Sequence, residues 1–211
     1  LMMQGSTTVV DFYARPKPLA EAMKQSGLRG FVGGRIMDVD TSSLAEGRFT
    51  LDPELGEKTL EESLTLIELW GKCSSHRISC VLGPHAVDTC SPALLQRVAN
   101  IANERDLLVH SHLAQSELEV ERVASLYGKR GSEILDEAGL LNDRLIVAHC
   151  IFLDQSEINR IASNGASIAH VPLGNATSGQ IAPIMAMHAA GVNITLATDT
   201  KSGDMFETMR N

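Results

Sequence analysis

The sequence predicts an α/β fold of the TIM type, an incomplete (β/α)8 barrel with about seven parallel strands. Three observations carry that prediction. Short β-branched runs alternate with amphipathic helical stretches, the pattern of parallel strands joined by helical crossovers. Apolar runs such as Leu145-Ile146-Val147-Ala148 are continuous rather than alternating, as expected of strands covered on both faces. No Gly-rich turn stands between a strand and a helix to favour an open dinucleotide-binding sheet, since Gly33-Gly34 falls inside a strand.

Strands are expected at residues 7–12, 30–37, 78–82, 107–112, 145–149, 167–171 and 193–198. The helices between them carry their own start signals. Asp52-Pro53 opens a helix whose Leu60, Leu64 and Ile67 form an apolar stripe. Ser91-Pro92 puts a capping hydroxyl before a first-position proline, ahead of Leu94, Leu95, Val98 and Ile101. Ser116-Glu117-Leu118-Glu119 and Asp154-Gln155-Ser156-Glu157 both have the form of a capping box. Gly27, Gly139 and Gly191 stand where helices should stop. With no internal linker or low-complexity tract, residues 1–211 are expected to form a single, partial barrel domain.

Composition narrows the function classes. At 44% hydrophobic and 21% charged residues the chain has ordinary globular usage, which argues against disorder. A net charge of −8 argues against a nucleic-acid footprint, and no apolar run is long enough to span a membrane. Cys73, Cys80, Cys90 and Cys150 show no CxxC spacing, so thiol zinc clusters and a dense disulfide framework are poor readings and a reducing cytoplasm is expected.

The residues that could do chemistry share one topological position. His85 falls just past a strand, His112, His149 and His170 end theirs, and Asp199 follows the last. The intervals of 27, 37, 21 and 29 residues each fit one helix and one strand. In a barrel such ends converge on one face, where catalysis draws on several strands. Imidazoles and a carboxylate meeting this way suit zinc or another divalent transition metal. A single histidine in such a run is as readily a buried filler as a ligand, and the set outweighs any member. His110-Ser111-His112 is an open case: alternation puts both rings on one face of the strand, and spacing does not say which binds. His76 and His188 lie on helical or loop ground and carry no assigned role.

Val109-His110-Ser111-His112-Leu113-Ala114-Gln115 resembles the fifth-strand motif of the amidohydrolase superfamily, in the branch of cytosine, guanine and adenosyl-type deaminases and triazine chlorohydrolases. Ala148-His149-Cys150 resembles the sixth-strand motif. Ala169-His170-Val171-Pro172 with Asn175, then Gly179-Gln180-Ile181-Ala182-Pro183, resembles the seventh strand and its loop. The run from Gly191 to Asp199 resembles the eighth strand, Gly83-Pro84-His85-Ala86 a fourth-strand segment, and the run from Gly5 to Asp11 the second strand.

The resemblance implies that His112 and Asp199 ligate a metal and that His149 belongs with them, holding or orienting the attacking water or the substrate. Asp199 would also take a proton from that water, and His85, His170 and Asn175 would contact substrate. The implied reaction is hydrolysis of a carbon–nitrogen (non-peptide) or carbon–halogen bond of a cyclic substrate, commonly deamination of a nitrogen heterocycle, by water that a divalent metal activates. Zinc is the expected ion, with iron or manganese as alternatives. Gln115 stands where many relatives carry a proton-shuttling glutamate, and an amide cannot take or give a proton near neutral pH. Glu117 is a stand-in candidate, though a first-turn acid belongs more naturally to a solvated helix.

The family's first strand brings a His-x-His pair, and His110/His112 is the one such pair in the sequence. The competing expectation is therefore a non-catalytic barrel fragment lacking two metal ligands, or a protomer completed by another chain. Exposed barrel edges would then favour a homo-oligomer. A third reading makes His149 and Asp199 a metal-independent acid/base pair.

Overall fold

The computed structural model describes residues 2–44, 46–71, 77–200 and 202–211. Cys73 and His76 lie outside the described residues. The chain divides into two compact units, one of residues 7–110 and one of residues 1–6 with 111–211.

In the 7–110 unit, β1 (Thr8–Tyr13) and β2 (Arg29–Ile36) pair in parallel, from Thr8 opposite Arg29 to Tyr13 opposite Gly34. The expected third strand runs in two pieces. β3 (Ile78–Cys80) pairs with Gly30–Val32 of β2, and β4 (Gly83–Pro84) resumes against Arg35 and Ile36. The His85 N–H then donates to the Ile36 carbonyl (2.9 Å), so His85 leaves directly from the ladder. Gly33 in β2 permits this packing, because a Cβ there would stand 2.8 Å from the Val81 carbonyl oxygen.

Helix α1 (Pro16–Ser26) ends at Gly27 with φ 81°, where the sequence expects a helix to stop. A short helical turn, α2 (Thr41–Leu44), precedes α3 (Pro53–Trp70), which lies on β2 and buries Leu60, Leu66 and Ile67. The Asp52 carboxylate caps α3 by accepting the Leu55 N–H (3.0 Å). Ser91 caps α4 (Pro92–Arg105) in the same way through the Leu94 N–H (3.2 Å), and Leu94, Leu95 and Val98 are buried.

A second sheet has the order β5-β6-β7-β8, with β5 (Val109–Leu113), whose first two residues belong to the 7–110 unit, β6 (Leu145–His149), β7 (Ser167–His170) and β8 (Asn193–Leu196). The β6–β7 and β7–β8 pairs are parallel. Between the strands run α5 (Glu117–Tyr127), α6 (Gly131–Glu137), α7 (Gln155–Asn164), α8 (Pro172–Thr177) and α9 (Ile184–Ala189), and α10 (Met205–Thr208) follows β8. The α7 capping box forms as expected: Asp154 accepts the Glu157 N–H (2.9 Å) and Glu157 accepts the Asp154 N–H (3.3 Å). Glu157 is 1% exposed and is matched by Arg130, whose Nε (2.9 Å) and Nη2 (2.6 Å) both donate to it. A charge that deep is tolerable only when paired and hydrogen-bonded.

Candidate active site

The end of β5 sets the first part of the site. Val109, Ser111 and Leu113 are buried, while His110 and His112 take the alternate, half-exposed positions. The structure separates the two rings. His110 packs edge-on against Phe12, ring centroids 4.9 Å apart. His112 instead stacks on His149 at 5.4 Å, with 25° between the ring planes.

The chain then turns through Ala114 at φ 49°. A left-handed conformation is costly for a non-glycine residue and persists only where its surroundings hold it. Here Glu119, 3% exposed, accepts the N–H groups of Ala114 (2.8 Å) and Gln115 (2.9 Å). The capping box expected at Ser116 is thus half realised: the Ser116 hydroxyl accepts the Glu119 N–H (3.1 Å), but the glutamate reaches past the cap residue to the turn before it. Sequence reasoning missed Glu119 as a support of the site. Glu117, the stand-in considered for proton transfer, is exposed on the first turn of α5.

β6 ends in two consecutive left-handed residues, His149 (φ 69°) and Cys150 (φ 55°). The turn is pinned from both sides. The Cys150 N–H donates to Leu113 O (3.0 Å), and those of Ile151 and Phe152 donate to Ala114 O (3.0 Å each). Burial drives the Cys150 thiol well above its ordinary range, with the Glu119 and Glu157 carboxylates adding to the effect. It is therefore inert as a nucleophile despite its position beside His149. The His149 ring has its Nδ1 3.3 Å from Asn175 Oδ1. Pro172 starts α8, and the Asn175 side chain is buried at 4% exposure, its Nδ2 without a hydrogen-bond partner.

Asp199 follows β8 at φ 53°, exposed, with Oδ1 accepting the Thr200 N–H (2.7 Å). A Cβ added to Gly174 would lie 3.6 Å from Asp199 Oδ2, so α8 approaches Asp199 with one residue and His149 with the next. His170 ends β7 half-buried, its Nδ1 enclosed and without a hydrogen-bond partner, and burial pushes its pKa below the ordinary value. In the 7–110 unit, His85 Nδ1 lies 2.8 Å from the Thr89 hydroxyl.

Two imidazoles side by side fit the nitrogen half of a site for a borderline divalent ion, and Asp199 supplies an oxygen donor of suitable hardness. Among the described residues, however, no three His, Cys, Asp or Glu side chains are gathered closely enough to hold a metal. His112 and His149 meet; Asp199 does not join them in a three-donor group. His188 is exposed on α9, as expected of a residue without a role. Among the described residues no helix is long and apolar enough to cross a membrane, and Cys80, Cys90 and Cys150 are free thiols.

The chain is 34% identical over 215 residues to the 5-methylthioadenosine/S-adenosylhomocysteine deaminase of Thermococcus kodakarensis, matching all of this chain and 48% of that protein. A crystal structure of an adenosine deaminase from Xanthomonas campestris with bound zinc superposes with a TM-score of 0.86 at 30% identity, over 99% of this chain and 46% of that one. The zinc complex of atrazine chlorohydrolase from Arthrobacter aurescens gives a TM-score of 0.82 at 25% identity, over 93% of this chain and 46% of that one. The chain thus spans about half the length of the relatives it matches. Its α/β fold with parallel strands is that of amidohydrolase TIM barrels. The family model for the amidohydrolase family matches residues 1–211, and the chain belongs to that family.

Proposed function

We propose that the complete protein is a metal-dependent hydrolase of carbon–nitrogen bonds in a cyclic substrate, most simply a deaminase of a purine nucleoside or related nitrogen heterocycle. The single observation that carries this reading is the stacked pair His112 and His149 at adjoining strand ends, with His149 held by Asn175. The names of the relatives support it, since they act on adenosine derivatives. A divalent ion, zinc by analogy with the neighbours, would take nitrogen ligands from the His112–His149 pair, with Asp199 the assigned carboxylate donor although it stands outside a three-donor group among the described residues, and would supply Lewis acidity and a lowered water pKa when bound.

The chain's own groups account for the rest. Asp199 can take up a proton at a carboxylate oxygen, and the residue is exposed to water. Its Oδ1 is engaged by its neighbour's N–H, which fixes the plane of the carboxylate. His170 and Asn175 each keep a buried, unpaired ring or amide nitrogen, groups that a polar heterocycle would satisfy. Gln115 orients a group by hydrogen bonding and cannot carry the proton to the leaving amine. The free thiols suit a reducing compartment such as the cytoplasm.

The test is turnover of adenosine and S-adenosylhomocysteine by wild type and by Asp199→Asn. Asparagine tolerates the left-handed backbone nearly as well as aspartate, so the fold should survive. Activity should drop about 10²- to 10⁴-fold, the usual worth of a positioned proton acceptor. Unchanged turnover in Asp199→Asn would remove the carboxylate from the mechanism. Full activity after exhaustive chelation would favour the metal-independent reading.

A further inference from the structure

We infer that Asn175 is a positioning residue for His149: it holds the neutral ring in the tautomer with the proton on Nδ1, leaving the Nε2 lone pair free for the site. The contact that assigns this is Asn175 Oδ1 at 3.3 Å from His149 Nδ1. A carbonyl oxygen only accepts, so the ring nitrogen facing it is the donor, and in neutral imidazole the other nitrogen then carries the lone pair. The tautomer of a functional histidine is ordinarily set in this way, by the hydrogen bond its other nitrogen makes.

The amide is itself well held. The Asn175 N–H donates to Val171 O (2.9 Å), and the Asn175 carbonyl accepts from the N–H groups of Ser178 (3.0 Å) and Gln180 (3.0 Å). The loop after α8 therefore closes around this one residue, whose side chain is 4% exposed. Holding it there leaves Nδ2 buried without a partner. An orphan donor is costly, so packing alone does not explain why an amide occupies the position. The ring it faces is equally constrained, because the left-handed backbone at His149 and Cys150 is pinned to Leu113. The backbone fixes where the imidazole enters, and Asn175 fixes which nitrogen it offers.

The proton position rests on this geometry alone, and its consequence for turnover rests on the hydrolase reading. The test is long-range proton–nitrogen correlation NMR of the full chain labelled with ¹⁵N-histidine, at a pH where the ring is neutral and without added metal. The His149 signal is identified by its loss in His149→Gln. Wild type should show the lone-pair nitrogen to be Nε2. Asn175→Asp, which keeps an acceptor, should preserve the pattern, and Asn175→Leu should shift it toward the Nε2–H form. In the active enzyme, Asn175→Leu should lower kcat about 10- to 100-fold in addition to any rise in KM from the lost Nδ2 contact, and Asn175→Asp should recover part of kcat. A wild-type ring protonated on Nε2 overturns the proposal, even if Asn175→Leu does not fold. So does an Nδ1–H signal that persists in Asn175→Leu. A tautomer set by Asn175 in a protein with no turnover of any heterocycle supports the positioning role and sinks the hydrolase reading instead.

Discussion

The two units are made of the same parts, parallel strands with capped helices between them, yet they spend conformational strain differently. In the 7–110 unit the one described non-glycine residue with positive φ is Asp106, which ends α4 as a C-cap. In the 111–211 unit there are four, Ala114, His149, Cys150 and Asp199, and each lies at the C-terminal end of a strand. Each such residue costs of order 1–3 kcal/mol unless held, so their concentration is not an accident of loop building. Buried carboxylates serve both units as clamps. Asp38, 7% exposed, accepts the Ser91 N–H (2.7 Å) and pairs with the Ser91 hydroxyl, tying a regular helix start in place. Glu119 does the same for a strained turn that carries a site residue. The same device thus stabilises structure in one unit and geometry for chemistry in the other.

That contrast can be broken by removing the clamps. Glu119→Leu leaves two backbone donors without their acceptor, and should destabilise by about 3 kcal/mol, read from the denaturant midpoint. It should also relax the left-handed turn at Ala114, with loss of activity beyond what instability explains. Asp38→Leu should cost a similar amount. If Glu119→Leu unfolds at the wild-type midpoint, the carboxylate is not what holds the turn, and the comparison between the units loses its basis.

These supports were the part of the molecule least legible in the sequence. Strand positions were readable because each is a local apolar or β-branched run: β6 was expected at its observed bounds, and β7 within one residue. The exception is instructive. The expected third strand breaks after Cys80, where the Leu82 N–H turns to the Leu108 carbonyl, and pairing with β2 resumes at Gly83, which allows close approach to Phe12. The caps of α3, α4 and α7 were legible because a cap is chemistry between residues three apart. Whether His110 or His112 serves the site was not, since two residues of one strand share a face and only neighbours distinguish them. Glu119 and the Asn175–His149 contact were illegible for the same reason, because a side chain's choice of partner depends on distance in space.

A second test sharpens the comparison at the turn that Glu119 holds. Gln115 sits there with its N–H clamped, at the position where the resemblance places a proton-transferring glutamate. Gln115→Glu should raise deamination of a purine nucleoside, by up to about 100-fold, the lower end of what a positioned acid/base contributes. The measurement is kcat at several pH values, because a new titrating group changes the profile as well as its height. No change in either would mean that Gln115 faces away from the leaving group and that its amide is spectator to the reaction.

The smallest expected effect concerns His170, and it probes the cost of keeping an unpaired ring at a strand end. Burial holds its folded-state pKa below the ordinary value of 6.5. The unfolded chain therefore binds a proton at this residue at a pH where the folded chain does not, and linkage then disfavours the folded state. Stability from this source is complete above about pH 6.5 and declines as the pH falls through the folded-state pKa. His170→Gln removes the titration while keeping a polar side chain of similar reach, so its unfolding midpoint should fall less steeply than that of wild type between neutral and mildly acidic pH. The two proteins should run parallel above pH 7. A wild-type curve with the same acid slope as His170→Gln would show that the ring is solvated after all. Its role as a buried, unpaired contact for a polar substrate would fall with that result.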